Sequence, residues 1–218
     1  MAERGDVNPE LATTVDEVMY LGGFAVWYAD VSRATHYHER AESDVEHSYM
    51  LSLVALHLAD RYYPELNQGL IAQFCMIHHS PEAIVGDPPT FNIAPEDRAI
   101  KEEAESVAVE KLLSELPPYW ARLLERYEAQ QEPEARFVRL VDKVMPPLVN
   151  SVGDGATTFL STYGITNKQE LLDIRRRRSL ELRELFPEFP EVCDVRDEIV
   201  KIMHDTLFDA ETGELIRK

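Results

Sequence analysis

The chain has 218 residues, 44% of them aliphatic, aromatic or sulfur-bearing, which is enough for a sizeable core in one large or two small domains. Forty acidic against 22 basic residues give a formal charge of −18, a field that repels polyanions and argues against a nucleic-acid polymer or an anionic membrane as partner. Two cysteines, Cys75 and Cys193, make no disulfide framework, the first residues show no basic-then-apolar leader, and no run approaches about 18 apolar residues, so a cytoplasmic location is expected.

In residues 14–31 the apolar positions Val15, Val18, Leu21, Phe24, Tyr28 and Val31 recur at helical spacing, and Thr14 with Glu17 fits a capping box. Residues 32–43 are polar, aromatic and basic without periodicity and read as a loop. A second helix is predicted over 44–61, capped by Ser43 or Asp44, with His57 as a core histidine among its apolar residues. Pro64 ends it, and a third helix runs from near Asn67 through Cys75, Met76 and Ile77 to the pair His78-His79. A loop over 85–95 rich in proline follows, then acidic amphipathic helices over 95–116 and 118–130, another from Pro133 to Pro146-Pro147, and two more over 168–185 and 191–208. Strand-like alternation is nearly absent. The expected class is all-α, with prolines that punctuate helices more than they separate domains.

The stretch over 75–90 organises the chain. His78, His79, Glu82 and Asp87 place two imidazoles and two carboxylates within ten residues, where an apolar helix meets a Pro/Gly-rich loop. Together with His47 at the start of the second helix and Asp142 amid apolar residues, they could bind a transition metal such as Zn, Fe, Co, Ni or Mn, provided the fold brings them together. Neighbouring side chains on a helix diverge by about 100°, so His78 and His79 can share an ion only beside a helix end. Spacing alone leaves the plainer readings open: His47 as a cap or surface residue, and Asp142 paired with Lys143 or an arginine. A four-helix di-metal carboxylate site is excluded, because no Glu stands three residues before any of the seven histidines. There is no Walker-type phosphate loop, no Gly-x-Ser-x-Gly elbow and no Cys-x-x-Cys. Arg175-Arg-Arg-Arg178, flanked by Glu170, Asp173, Glu181 and Glu184, reads as a solvated, salt-bridged helix face in preference to an anion site.

Three segments carry a resemblance. Arg40-Ala-Glu-Ser-Asp-Val-Glu-His47-Ser, His78-His79-Ser-Pro-Glu82-Ala-Ile-Val-Gly86-Asp87-Pro-Pro and Val141-Asp142-Lys-Val resemble, in order and spacing, the motifs of HD-domain phosphohydrolases, most closely the 5′-deoxynucleotidase-like branch. The likeness covers residues 11–149. It implies an HD-domain-like helical bundle over that core, with residues 150–218 as a C-terminal helical extension within a single helical domain.

The resemblance also implies a divalent metal held by His47, His78, His79 and Asp142, with Glu82 as general acid/base, Asp87 as a second catalytic carboxylate at the pocket rim, and Arg40 and Arg33 as phosphate-facing cations. His36 and His38, just before Arg40, are candidate substrate residues. The implied reaction is hydrolysis of a phosphate ester of a small nucleotide, foremost a (deoxy)nucleoside 5′-monophosphate, with a nucleoside triphosphate as the alternative substrate. This chain departs from the family doublet His-Asp, since His79 replaces the aspartate. A softer nitrogen there tilts the preference toward Zn, Fe, Co or Ni. It also leaves a rival reading, a non-catalytic scaffold that binds a nucleotide or a protein. A homodimer stays open, as paired subunits are common for such folds, although no seam in the sequence marks one.

Overall fold

The computed structural model describes residues 8–88 and 94–216. The first residues, in which no leader pattern is read, and the middle of the 85–95 loop lie outside these residues. Helix α1 spans Pro9–Asp30. It starts five residues before the expected Thr14, because Asn8 accepts from Glu10 N at 3.0 Å and Pro9 occupies the first turn, where its missing N–H costs nothing. Thr14 sits inside the helix and donates to Glu10 O at 2.9 Å instead of capping.

Where a loop was expected, the chain forms an antiparallel hairpin, β1 Ser32–Tyr37 and β2 Arg40–Ser43, pairing Tyr37 with Arg40 and His36 with Ala41. His38 turns it, at φ 47° in the left-handed region. Hydrophobic alternation fails to show this hairpin because its inward residues are polar, Thr35 and Glu42 both being buried.

Ser43 then starts α2, Asp44–Tyr62, with a full capping box: Glu46 Oε2 accepts from Ser43 N at 3.0 Å and Ser43 Oγ accepts from Glu46 N. One face of α2, with Leu51, Ala55, Leu58 and Ala59, is buried. His57 lies on the opposite face and is exposed, so it is not a core histidine. Helix α3, Gln68–Ile77, capped by Asn67, buries Ile71, Phe74, Cys75 and Ile77. The short α4, Glu82–Val85, stops at Gly86, whose φ of 75° suits a residue without Cβ.

There follow α5 Pro95–Glu115, α6 Pro118–Ala129, α7 Pro133–Asp142, α8 Met145–Val152, α9 Gly155–Thr157, a π-helical turn over Thr158–Thr162, α10 Gln169–Leu185 and α11 Pro190–Leu207. The architecture is all-α apart from the hairpin, and no helix among the described residues is long and apolar enough to cross a membrane.

Helix α3 packs against α2, α6 and α7, and α11 runs along α8. The main core combines Leu51, Ile71, Phe74, Phe137 and Leu140 with Leu182 of α10, Phe189 at the start of α11 and Val192 on α11. Each fully buried large apolar side chain contributes about 1.5–3 kcal/mol relative to exposure. A smaller cluster of Phe159, Ile165, Leu171, Met203 and Leu207 joins the π turn to α10 and α11. Gly155 permits that junction: a Cβ there would meet Asn150 O at 2.3 Å and a Leu207 methyl at 2.6 Å.

Candidate metal centre

Three chain segments end or begin at one point. The capping box of α2 sets His47 in its first turn, α3 terminates at His78 with His79 just beyond, and Asp142 is the last residue of α7. The C-terminal ends of α3 and α7 bring partial negative charge beside a site for a cation. His47 Nε2 lies 3.0 Å from Asp142 Oδ1, His78 Nε2 4.0 Å from the same oxygen, and His79 Nε2 3.9 Å from Asp142 Oδ2. One ligand atom from each of the four falls within 4.8 Å of all the others. Bonds of about 2.0–2.1 Å in a tetrahedral sphere need donors about 3.4 Å apart, so the cluster requires only small adjustment.

The donors themselves fit a divalent metal. His78 Nδ1 donates to Cys75 O at 2.9 Å, which puts the ring proton on that nitrogen and leaves a lone pair on Nε2. That Nε2 is buried and has no hydrogen-bond partner among the described residues. Burial, together with His47, pushes the His78 pKa down to about 3, so the ring is neutral. Burial alone would raise the pKa of Asp142, but Lys143 at 2.6 Å and the imidazoles of His79 and His47 hold it well below the usual carboxylate range. An orphaned imidazole nitrogen facing an ionised carboxylate is the chemistry of a ligand set.

Behind His47, Glu42 Oε1 lies 3.6 Å from Nδ1, and the carboxylate also accepts from the hydroxyls of Thr35 and, at 2.9 Å, Tyr37. Sequence reasoning passed over Glu42, although it lies in the segment from Arg40 to Ser48 that carries part of the resemblance.

Beside the metal donors, Arg33 enters from β1. Its NH1 donates to Asp44 Oδ1 at 2.6 Å, His79 Nδ1 at 3.0 Å and Glu82 Oε2 at 3.3 Å, and stands 3.5 Å from Asp87 Oδ2. A guanidinium can only donate, so His79 Nδ1 accepts and the ring proton resides on Nε2. Ligation through Nε2 therefore requires Arg33 to release His79. Lys101, a second residue that the sequence did not single out, reaches Asp87 Oδ1 at 3.3 Å and Glu82 Oε1 at 3.7 Å. Burial first, and then the charges of Asp87 and Asp44 against those of Arg33 and Lys101, push Glu82 up to about 9. A cation at the neighbouring donors would pull this back toward neutrality.

Arg33, His78, His79, Glu82, Lys101 and Asp142 line a cavity of about 950 Å³. Arg40, His36 and His38 do not line it. Arg40 is exposed at the outer end of the hairpin and forks onto Glu46, 2.8 Å from its Oε2. His38 and Arg40 border a separate shallow cleft with Tyr37 and Val152. His36 Nδ1 turns back to Ala34 O at 3.1 Å. The hairpin thus brings Arg33 to the cavity and carries Arg40, His36 and His38 away from it.

Known proteins resemble this chain over part of its length. The 5′-deoxynucleotidase HDDC2 of Homo sapiens is 33% identical over 107 residues, 48% of this chain and 51% of that protein. The HDDC2 of Danio rerio is 30% identical over 146 residues, 62% of this chain and 72% of that protein. The chain spans about half the length of the first of these curated relatives. A crystal structure described as a predicted metal-dependent phosphohydrolase from Magnetospirillum magnetotacticum MS-1 superposes with a TM-score of 0.62 at 24% identity, over 86% of this chain and 92% of that one, and shares the fold. The HD-domain profile matches residues 30–176, a span that holds all four donors, and the chain belongs to the HD-domain family.

Proposed function

We propose that the protein is a metal-dependent phosphohydrolase that cleaves the phosphate ester of a (deoxy)nucleoside 5′-monophosphate. The observation that carries this reading is the buried, unpartnered Nε2 of His78 among three further donors, with Glu82, Arg33 and Lys101 alongside. The names of the HDDC2 relatives support the substrate class. His47, His78, His79 and Asp142 would hold the ion, and three imidazoles with one carboxylate favour Zn, Fe, Co or Ni over Mg. A bound divalent ion supplies Lewis-acid polarisation of the phosphoryl oxygens and makes a water nucleophilic at neutral pH.

The chain's own residues do the rest. Arg33 offers N–H groups to phosphate oxygens and, by turning to them, frees His79. Lys101 adds a second positive charge where negative charge develops on the phosphoryl group. Glu82 holds a proton within the site and serves as general acid for the leaving ester oxygen. Asp87 orients Lys101 and Arg33, both within 3.5 Å of its oxygens.

The remaining parts of the reading are a single helical domain, a cytoplasmic location and a homodimer. The main core draws residues from both the first and the last helices, and the charge of −18 disfavours nucleic-acid and membrane surfaces. Val18, Met19, Val26 and Trp27 leave an apolar stretch of α1 exposed for a second copy.

Metal analysis of the purified protein, joined to phosphate release from a panel of nucleotides with Mn, Co or Zn added, tests the proposal. Stoichiometric metal and release from 5′-monophosphates are expected. Absence of both would leave the scaffold reading in its place, and release from triphosphates alone would move the substrate.

A further inference from the structure

The cavity has a second wall, built by α10 and α11, whose chemistry the metal centre does not use. The run Arg175–Arg178 is only partly the solvated face that its sequence suggests. Arg176 and Arg177 are exposed and Arg178 pairs with Glu181 at 3.2 Å; Arg177 and Arg178 also border the cavity, but Arg175 is the one of the four with a buried guanidinium nitrogen left without a partner. Its NH1 is buried without a hydrogen-bond partner among the described residues, and its NH2 meets only the sulfur of Met203, at 3.5 Å. Its guanidinium lies 5.7 Å from the Phe159 ring centroid. The nearby charge is a like one: Arg196, 7% exposed, lines the same cavity, with Nε on Lys143 O at 3.3 Å and NH1 on Asp197 at 3.1 Å. Among the described residues no carboxylate oxygen is hydrogen-bonded to the Arg175 guanidinium.

A guanidinium with a buried nitrogen and no anion partner, in a wall that holds a second guanidinium, is costly unless a ligand completes it. Its planar fork suits an oxyanion, above all a phosphate. The wall is also tied to the metal centre. Lys143 accepts from Arg196 through its backbone oxygen and reaches Asp142 with its ammonium at 2.6 Å. Two aromatic rings run between the two ends. Tyr163 stands within the field of Asp87 and Arg33, Phe159 lies against Arg175, and their centroids are 6.5 Å apart. Such ring faces can take a base.

We propose that Arg175, backed by Arg196, forms a second anion subsite that binds a further phosphate group of the nucleotide, beyond the one at the metal centre. The identity of the ligand rests on the phosphohydrolase reading, whereas the subsite stands on its own geometry.

Isothermal titration of the metal-loaded protein with inorganic phosphate tests the subsite. Two phosphates per chain are expected in the wild type and one in Arg175→Gln, with Arg175→Ala as a second variant should the first fail to fold. One phosphate in both proteins would overturn the subsite. For the ligand, kcat/KM is compared for a nucleoside 5′-monophosphate, its 5′-diphosphate and its 3′,5′-bisphosphate. One of the two doubly phosphorylated nucleotides should exceed the monophosphate by about tenfold or more, the effect of one charge-assisted contact, and the ratio should collapse in Arg175→Gln. Equal values in the wild type, with two inorganic phosphates still bound, would assign the subsite to free phosphate and overturn the second-phosphate assignment. If no nucleotide is hydrolysed, the phosphohydrolase reading fails, and the same ratio measured as Kd decides the subsite.

Discussion

Glu42 and His47 face each other across the join of β2 and α2, with Oε1 3.6 Å from Nδ1, so that the opposite nitrogen of the ring points at Asp142 Oδ1 from 3.0 Å. Burial would raise the pKa of Glu42, but the contacts with His47 and Thr35 lower it, and the carboxylate is ionised. As the structure stands, the ionised Asp142 can only accept, so His47 Nε2 donates to it; a metal at Nε2 requires the ring proton to move to Nδ1, where Glu42 is placed to take it. Glu42→Gln should weaken metal affinity by about 10- to 100-fold, the usual effect of removing such a supporting carboxylate. Chelator competition measures this, and an unchanged affinity would show that Glu42 serves the hairpin alone.

Arg33 and His79 set up a contest. While Arg33 donates to His79 Nδ1, the imidazole cannot offer its Nε2 lone pair. Arg33→Lys keeps the positive charge among Asp44, Glu82 and Asp87 but loses the planar fork. We expect kcat/KM to fall by about 10- to 100-fold, the effect of one or two charge-assisted hydrogen bonds, while metal affinity stays level or rises. A parallel loss of metal would mean that Arg33 organises the ligands and does not compete with them.

His78 should show a trade of stability for function. Its Nε2 is a buried polar atom left unsatisfied without an ion, a state that costs about 1–3 kcal/mol. Metal-free His78→Leu should then be about as stable as the metal-free wild type, despite losing the bond to Cys75 O. Only the wild type should gain in Tm on addition of Zn or Co. Equal gains in both proteins would remove His78 from the ligand set.

The residues legible in the sequence are those held by helix ends. His78 follows an apolar helix, His47 follows a capping box and Asp142 interrupts an apolar stretch, so each broke a local pattern. The hairpin was illegible for the converse reason. Its buried residues, Thr35 and Glu42, are polar because they serve the site, and the alternation that marks a strand never formed. Arg33 and Arg40 could not be ranked without that hairpin, which sends one to the cavity and the other to Glu46. Lys101 and Arg175 lie on helices whose charge runs look solvated, and which of their charges turns inward is decided by the packing of α5 against α4 and of α10 against α11. The orphaned NH1 of Arg175 is a property of three dimensions alone.

His204 gives the cavity wall a dependence on pH. It is buried on α11, and burial first, then the charges of Arg175 and Lys168, lower its pKa to about 4. On acidification the unfolded chain takes up this proton near the ordinary histidine value of about 6.5, whereas the folded protein resists until about pH 4. The unfolded state binds more protons across that window, so stability is full above pH 6.5, falls as pH drops toward 4, and loses nothing further on this account below it. His204→Gln should flatten the decline in Tm between pH 6.5 and 4. Arg175→Gln should narrow the same window from its acid side, because removing the neighbouring positive charge raises the folded pKa. A wild-type slope unchanged in both variants would place the acid sensitivity elsewhere, and a slope changed by His204→Gln alone would show that burial governs this histidine without help from Arg175.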